Sequence, residues 1–150
     1  VIANPALPFI KKIRGAFILL QTEWAQGVIK ASIDACNEVE PSLGHVNQYL
    51  HNRPDELAAE LEELQARIGK LAATPYETDK EHMLDVLDVR AQCSELSLKA
   101  AQSALLHQGA RGYLMKSKPQ RLIRESHFVA IVTPAIKHLR WEMAKLMGEA

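Results

Sequence analysis

"TDKEHMLDVLDVRAQCSELSLKAAQSALLH", residues 78–107, decides the fold. Leu84, Leu87, Ala91, Ser94, Leu98, Ala101 and Leu105 recur in steps of three and four. That is the period of an amphipathic helix. Several members of the stripe are small, so a neighbouring helix can approach it closely. Gly109 ends the segment, as glycine often does just past a helix.

The same period extends outward in both directions. Leu57, Leu61, Leu64, Ile68 and Leu71 make a preceding helix. Pro54 suits its first turn, and Asp55 and Glu56 favour its positive end. It ends near Ala73, before "TPYETD". Further upstream, Phe9, Ile13, Phe17, Leu20, Trp24, Val28 and Ala31 form a stripe on a segment from about Pro8 to Val39, stopped by Pro41. Downstream, Leu122, Ser126, Val129 and Val132 share one face, continued by Ile136, Leu139, Met143 and Leu146. Pro134 interrupts that run. An interior proline costs about 3 kcal/mol, so two helices are expected, with Thr133 capping the second and Pro134 in its first position. Strand signals are weak. The expectation is an all-α fold, an antiparallel up-down four-helix bundle with its fourth helix broken near Thr133 and Pro134.

A chain of 150 residues reads as one domain, 1–150, and nearly half of it is apolar. It lacks an initiating Met, so the expectation is a piece of a longer chain. Lys+Arg and Asp+Glu are balanced at 18 each, which gives no overall pull toward nucleic acid or an anionic membrane. Arg111, Lys116, Lys118, Arg121 and Arg124 form a basic cluster that reads as a solvated face. No run is long enough to span a membrane. Cys36 and Cys93 are far apart and lack a CxxC context. They read as buried thiols in a reducing compartment, hence a cytoplasmic location. Trp24 and Trp141 lie on or beside apolar stripes and are expected in the core.

Helical bundles often hold metals, but the di-iron pattern needs Glu-x-x-His units, and the chain has none. The histidines are scattered. His138 and Glu142 can share a helix face, which is the spacing of an ordinary surface pair. No P-loop, nucleophile elbow or complete G-x-G-x-x-G occurs.

"QGARGY", residues 108–113, and "PQRLIRES", residues 119–126, resemble the Gly-rich turn and following helix of the acyl-CoA dehydrogenase family. There, Gly-Gly-x-Gly-Tyr precedes a proline and then Glu-Arg-x-x-Arg-Asp. Gly109, Ala110, Arg111, Gly112 and Tyr113 match the turn, with Ala110 for the second glycine. Gln120, Arg121, Arg124 and Glu125 match the rest, with Gln for Glu and Glu for Asp. "SLGHVNQ", residues 42–48, looks like the family's Phe-Gly joint, with Leu43 for the Phe. The resemblance implies the family's C-terminal helical domain, and FAD contacts at Gly109, Ala110 and Gly112. It also implies identical subunits in a dimer or tetramer, and an acyl-CoA thioester substrate.

The catalytic pattern departs from the family. Counting from Arg124 puts the usual glutamate base at Thr133. If Thr133 is instead the family threonine that approaches the flavin, the base falls at Ile131. In members that carry the base on the first helix, the position falls near Arg14. None of these is a general base at neutral pH. Leu106 stands where the family has a glutamine, and no arginine precedes the joint. Two readings stay open: a flavoprotein domain with FAD at the turn, or a helical oligomerisation and interaction module in which the turn only reverses the chain.

Overall fold

The computed structural model describes residues 2–149, and among these every regular element is helical. The helices are α1 (Ala6–Leu20), α2 (Thr22–Asn37), α3 (Glu40–Asn47), α4 (Pro54–Ala72), α5 (Lys80–Gln108), α6 (Lys118–Ile131) and α7 (Ile136–Met147), with a 3₁₀ turn over Gly109–Tyr113 between α5 and α6. The bundle is built around α5, which packs against α2, α4, α6 and α7. Its principal neighbour is α2. The facing residues are small, Ala25, Ser32 and Ala35 on α2 and Ser97, Ala100, Ala101 and Ala104 on α5, all buried.

Local signals set most helix ends. Asp79 caps α5 by accepting from the His82 amide at 3.0 Å. Pro54 opens α4, where the Glu56 carboxylate accepts from the Arg53 amide at 2.9 Å. Ser117 caps α6 by accepting from the Gln120 amide at 3.4 Å. Leu57, Leu61 and Leu64 of α4 are buried, as are Leu122, Ser126 and Val129 of α6 and Leu139 of α7, all on the expected stripes.

Three expectations need correction. The first segment is not one helix: it breaks at Gln21, and Pro41 starts α3 instead of stopping a helix. Most of its stripe also faces outward. Phe17, Leu20 and Trp24 are exposed, whereas Ile18, Thr22, Ala25, Ile29 and Ser32 are buried. The buried side of α2 mixes small residues with Gln26, Val28 and Ile29, so the inward face is rotated away from the large residues of the expected stripe. Trp24 is 48% and Trp141 55% exposed, so neither belongs to the core. Finally, the α6–α7 break exists, but Thr133 does not cap α7. Pro134 disfavours helical backbone at Thr133, Val132 is already extended, and the cap position falls at Ala135, with no side-chain cap.

A guanidinium ties these breaks together. Arg90 of α5 is fully buried and pairs with no carboxylate among the described residues. Its Nη2 donates to the Val129 carbonyl at 2.9 Å, its Nη1 to Ser94 Oγ, and its Nε to Gln21 Oε1 at 3.5 Å. Val129 lies in the last turn of α6, where carbonyls lack intrahelical donors and the helix dipole favours a cation. Gln21 Nε2 in turn donates to the Thr133 carbonyl at 3.1 Å. Burial pushes the Arg90 pKa down from its ordinary value.

Cys36 and Cys93 are free and buried. Burial raises their thiols to about 11 and about 12 respectively, against the lowering effect of the Ser103 hydrogen bond on Cys36 and of nearby Arg90 on Cys93.

Two predictions follow from this interior. Arg90→Ala removes three donors and leaves a cavity, so urea unfolding should show a loss of about 3–5 kcal/mol, while Arg90→Met, which keeps the volume, should lose less. The two thiols should resist alkylation in the native protein at neutral pH and react at once in denaturant. Because their folded pKa values lie above the unfolded value, unfolded thiols ionise first as pH rises. Their contribution is complete below about pH 9 and is lost as pH rises toward 11–12, which pH-dependent urea midpoints of Cys36→Ala and Cys93→Ala variants against wild type will report.

Candidate functional site

The glycine turn closes the end of α5. Gly109 has φ of 59°, in the region that favours glycine, and a Cβ there would meet nothing within 4 Å. Ala110 and Arg111 are exposed beside it. Gly112 differs. It is buried, and a Cβ would come within 3.1 Å of the Leu105 carbonyl and of Gln108 Cβ. Gly112 is therefore small because α5 lies against it. Leu106, Tyr113, Leu114 and Met115 surround the turn as exposed apolar residues.

Part of the basic cluster is neutralised within the chain. Lys118 pairs with Glu38 at 2.6 Å, and Arg121 with Glu125 at 3.4 Å. The stretch "SLGHVNQ" is not a joint: residues 42–47 belong to α3, and Gly44 sits inside that helix. Asn47 Nδ2 donates to the His107 carbonyl at 3.2 Å and so fastens α3 to the end of α5. His107 is buried, with Nδ1 2.9 Å from the Ser103 carbonyl and Nε2 4.0 Å from Glu40 Oε1. Glu40 already accepts from both terminal nitrogens of Arg53, at 3.1 and 3.3 Å. Nothing in the spacing of these residues announced this cluster. It exists because α3 folds back on α5.

A second feature lies between α1 and the α6–α7 joint. Ile10, Ile13, Arg14 and Phe17 of α1 face Thr133, Pro134, His138, Trp141 and Glu142 across a groove of about 540 Å³. The carbonyl of Thr133, one of its lining residues, accepts from Gln21 Nε2 at 3.1 Å. Arg14 forms an ion pair with Glu142 across it. The groove thus brings together Arg14 and Thr133, two of the positions where family counting puts the base, while Ile131 is exposed outside it. Glu142 was legible only as a surface partner of His138. Its real partner, Arg14, comes from the other end of the chain. Glu23 lies elsewhere, in a notch between α2 and α6, and accepts from Gln26 at 2.8 Å. Among the described residues no group of three or more His, Cys, Asp or Glu side chains is placed to hold a metal ion. No helix among them is long and apolar enough to cross a membrane.

Compared with known proteins, the chain matches no family model, and neither the curated proteins nor the solved structures give a significant match.

Substitutions separate the two kinds of site residue. Gly112→Ala pushes a methyl against the α5 backbone and should destabilise by about 1–3 kcal/mol in urea unfolding. Thr133→Ala should stay within about 0.5 kcal/mol of wild type, because the exposed side chain caps nothing and only the carbonyl is used.

Proposed function

We propose that this chain is the C-terminal helical domain of an acyl-CoA dehydrogenase-like flavoprotein, whose reaction is FAD-dependent α,β-dehydrogenation of acyl-CoA thioesters. The observation that carries the reading is the groove between α1 and the α6–α7 joint. Thr133, at a place the resemblance reserves for catalysis, lines one groove with Arg14 from the other end of the chain. Its walls are mostly apolar, as an acyl chain requires.

The open end of α5 supports the cofactor half of the reading. Gly109 and Ala110 offer backbone that a bulky ligand can approach. The resemblance puts the edge of FAD against them. Gly112 shapes the turn from within. The flavin, when bound, supplies the hydride acceptor. This chain's part is to hold that edge at Gly109 and Ala110 and to wall the groove with Ile10, Phe17 and Trp141. The usual catalytic glutamate is missing: Thr133 and Arg14 take no proton at neutral pH, and the groove's carboxylate, Glu142, is engaged with Arg14. The domain is read as a scaffold in a divergent relative.

The second reading is a non-catalytic helical module for oligomerisation and interaction. The outward rows of Phe17, Leu20 and Trp24 favour it, together with the missing base. Flavin content separates the two. Purified full-length protein should show a flavin absorption band, and Ala110→Leu should weaken FAD retention about tenfold, or 1.4 kcal/mol, with an unchanged unfolding midpoint. A colourless protein that does not take up added FAD supports the module instead.

A further inference from the structure

No acid stands between Glu95 and Glu125, a stretch that holds Arg111, Lys116, Lys118, Arg121 and Arg124. The balanced charge of the whole chain is therefore locally positive where α5 turns into α6. Lys118 and Arg121 are paired, but Arg111 and Lys116 meet no carboxylate among the described residues. Between these two free cations lie Tyr113, Leu114 and Met115, consecutive large residues that are 77, 64 and 78% exposed. One exposed leucine needs no account, whereas an exposed run does. The turn that displays them is fixed by its own hydrogen bonds. The Ser117 hydroxyl donates to the Gly112 carbonyl, the Ser117 amide to the Leu114 carbonyl at 2.8 Å, and the Leu114 amide to the Arg111 carbonyl at 3.3 Å. These backbone groups keep their partners when the turn enters apolar surroundings. Leu106 is exposed in the last turn of α5, and exposed Val46 and Tyr49 lie within two residues of the Asn47 to His107 bond. They bring further apolar side chains and a second tyrosine to the same end of the bundle.

We propose that this end of the molecule docks on an anionic lipid surface. Tyr113, Leu114 and Met115 enter the headgroup layer, and Arg111 and Lys116 meet the anionic headgroups around them. Charge complementarity selects that occupant. An apolar tip flanked by cations matches the order of layers in a bilayer, where anionic headgroups lie over hydrocarbon. Tyrosine is favoured at that boundary because its ring is apolar and its hydroxyl polar. The long stems of Arg111 and Lys116 let their charges stay among headgroups while the tip goes deeper. A fluid surface also needs no matching pocket, so no register has to be fixed. A nucleic acid would meet the two cations through its phosphates but would leave the large apolar side chains without a use. Docking of this kind is independent of flavin binding, since it uses the side chains of residues 111–116 and not the backbone of Gly109 and Ala110.

Full-length protein should float with vesicles of phosphatidylcholine containing about one-third phosphatidylserine, and should stay behind with vesicles of phosphatidylcholine alone. Leu114→Asp combined with Met115→Asp should lower the vesicle partition coefficient at least about tenfold, and Arg111→Gln combined with Lys116→Gln about tenfold. Unfolding midpoints should stay at wild-type level, because all four side chains are exposed. Lys11→Gln combined with Lys137→Gln removes two exposed cations from α1 and α7 and should leave partition unchanged. Wild-type protein that stays behind with both vesicles overturns the proposal, as does equal flotation with neutral ones. So does flotation that survives the tip substitutions, or that falls as far with the Lys11 and Lys137 pair. An RNA hairpin bound through Arg111 and Lys116 without any flotation assigns these cations to nucleic acid instead.

Discussion

The guanidinium of Arg90 lies in the middle of the bundle, and its donors reach groups on three elements. A buried charge without a counter-charge is costly unless every donor is engaged. Here the compensation comes from the Ser94 hydroxyl, the Gln21 carboxamide and the Val129 carbonyl at the negative end of α6. Those contacts decide where neighbouring helices can stop. Gln21 sits at the break between α1 and α2, and Val129 just before the break between α6 and α7. Gln21 then reaches the Thr133 carbonyl, which draws the two breaks together. The groove between α1 and α7 is a consequence: it opens where two interrupted rods meet over one cation.

Around this centre the chain divides its apolar residues between two uses. The interior is assembled largely from small side chains on α2 and α5, with Leu57, Leu87, Leu122 and Leu139 filling the wider spaces. Large residues such as Phe17, Trp24, Phe128 and Trp141 stay outside. Both proposed readings need apolar surface that a cofactor or partner can cover, and these exposed side chains supply it. The exposed Tyr113, Leu114 and Met115 beside the glycine turn belong to the same pattern. The two functional readings share this physics and differ only in whether FAD is among the things that cover it.

Where the sequence was legible, a residue and its helical neighbours carried the signal alone. The stripe of Leu57, Leu61 and Leu64 and the face of Leu122, Ser126 and Val129 are buried as read, and Pro134 does mark a break. Misreadings came where a distant group chose between local options. Thr133 is a good cap by type, yet Pro134 keeps it out of helical backbone, and its carbonyl is claimed by Gln21. Phe17, Leu20 and Trp24 have the right spacing for a core stripe, but the packed bundle buries the side of α2 that carries Ala25, Ile29 and Ser32. Gly112 and Gly109 look alike in sequence, and only the position of Leu105 separates a packed glycine from an open one.

The amino-acid order by itself determined that the chain is helical, where most helices start and stop, and that a glycine turn follows the longest of them. These depend on contacts within a few residues: caps, prolines and the 3.6-residue period. Only the tertiary structure decided which side of α2 faces inward, that a lone arginine holds two breaks together, and that Arg14 meets Glu142 across a groove. Those outcomes depend on groups far apart in the chain, and periodicity carries no information about which distant partner will reach them.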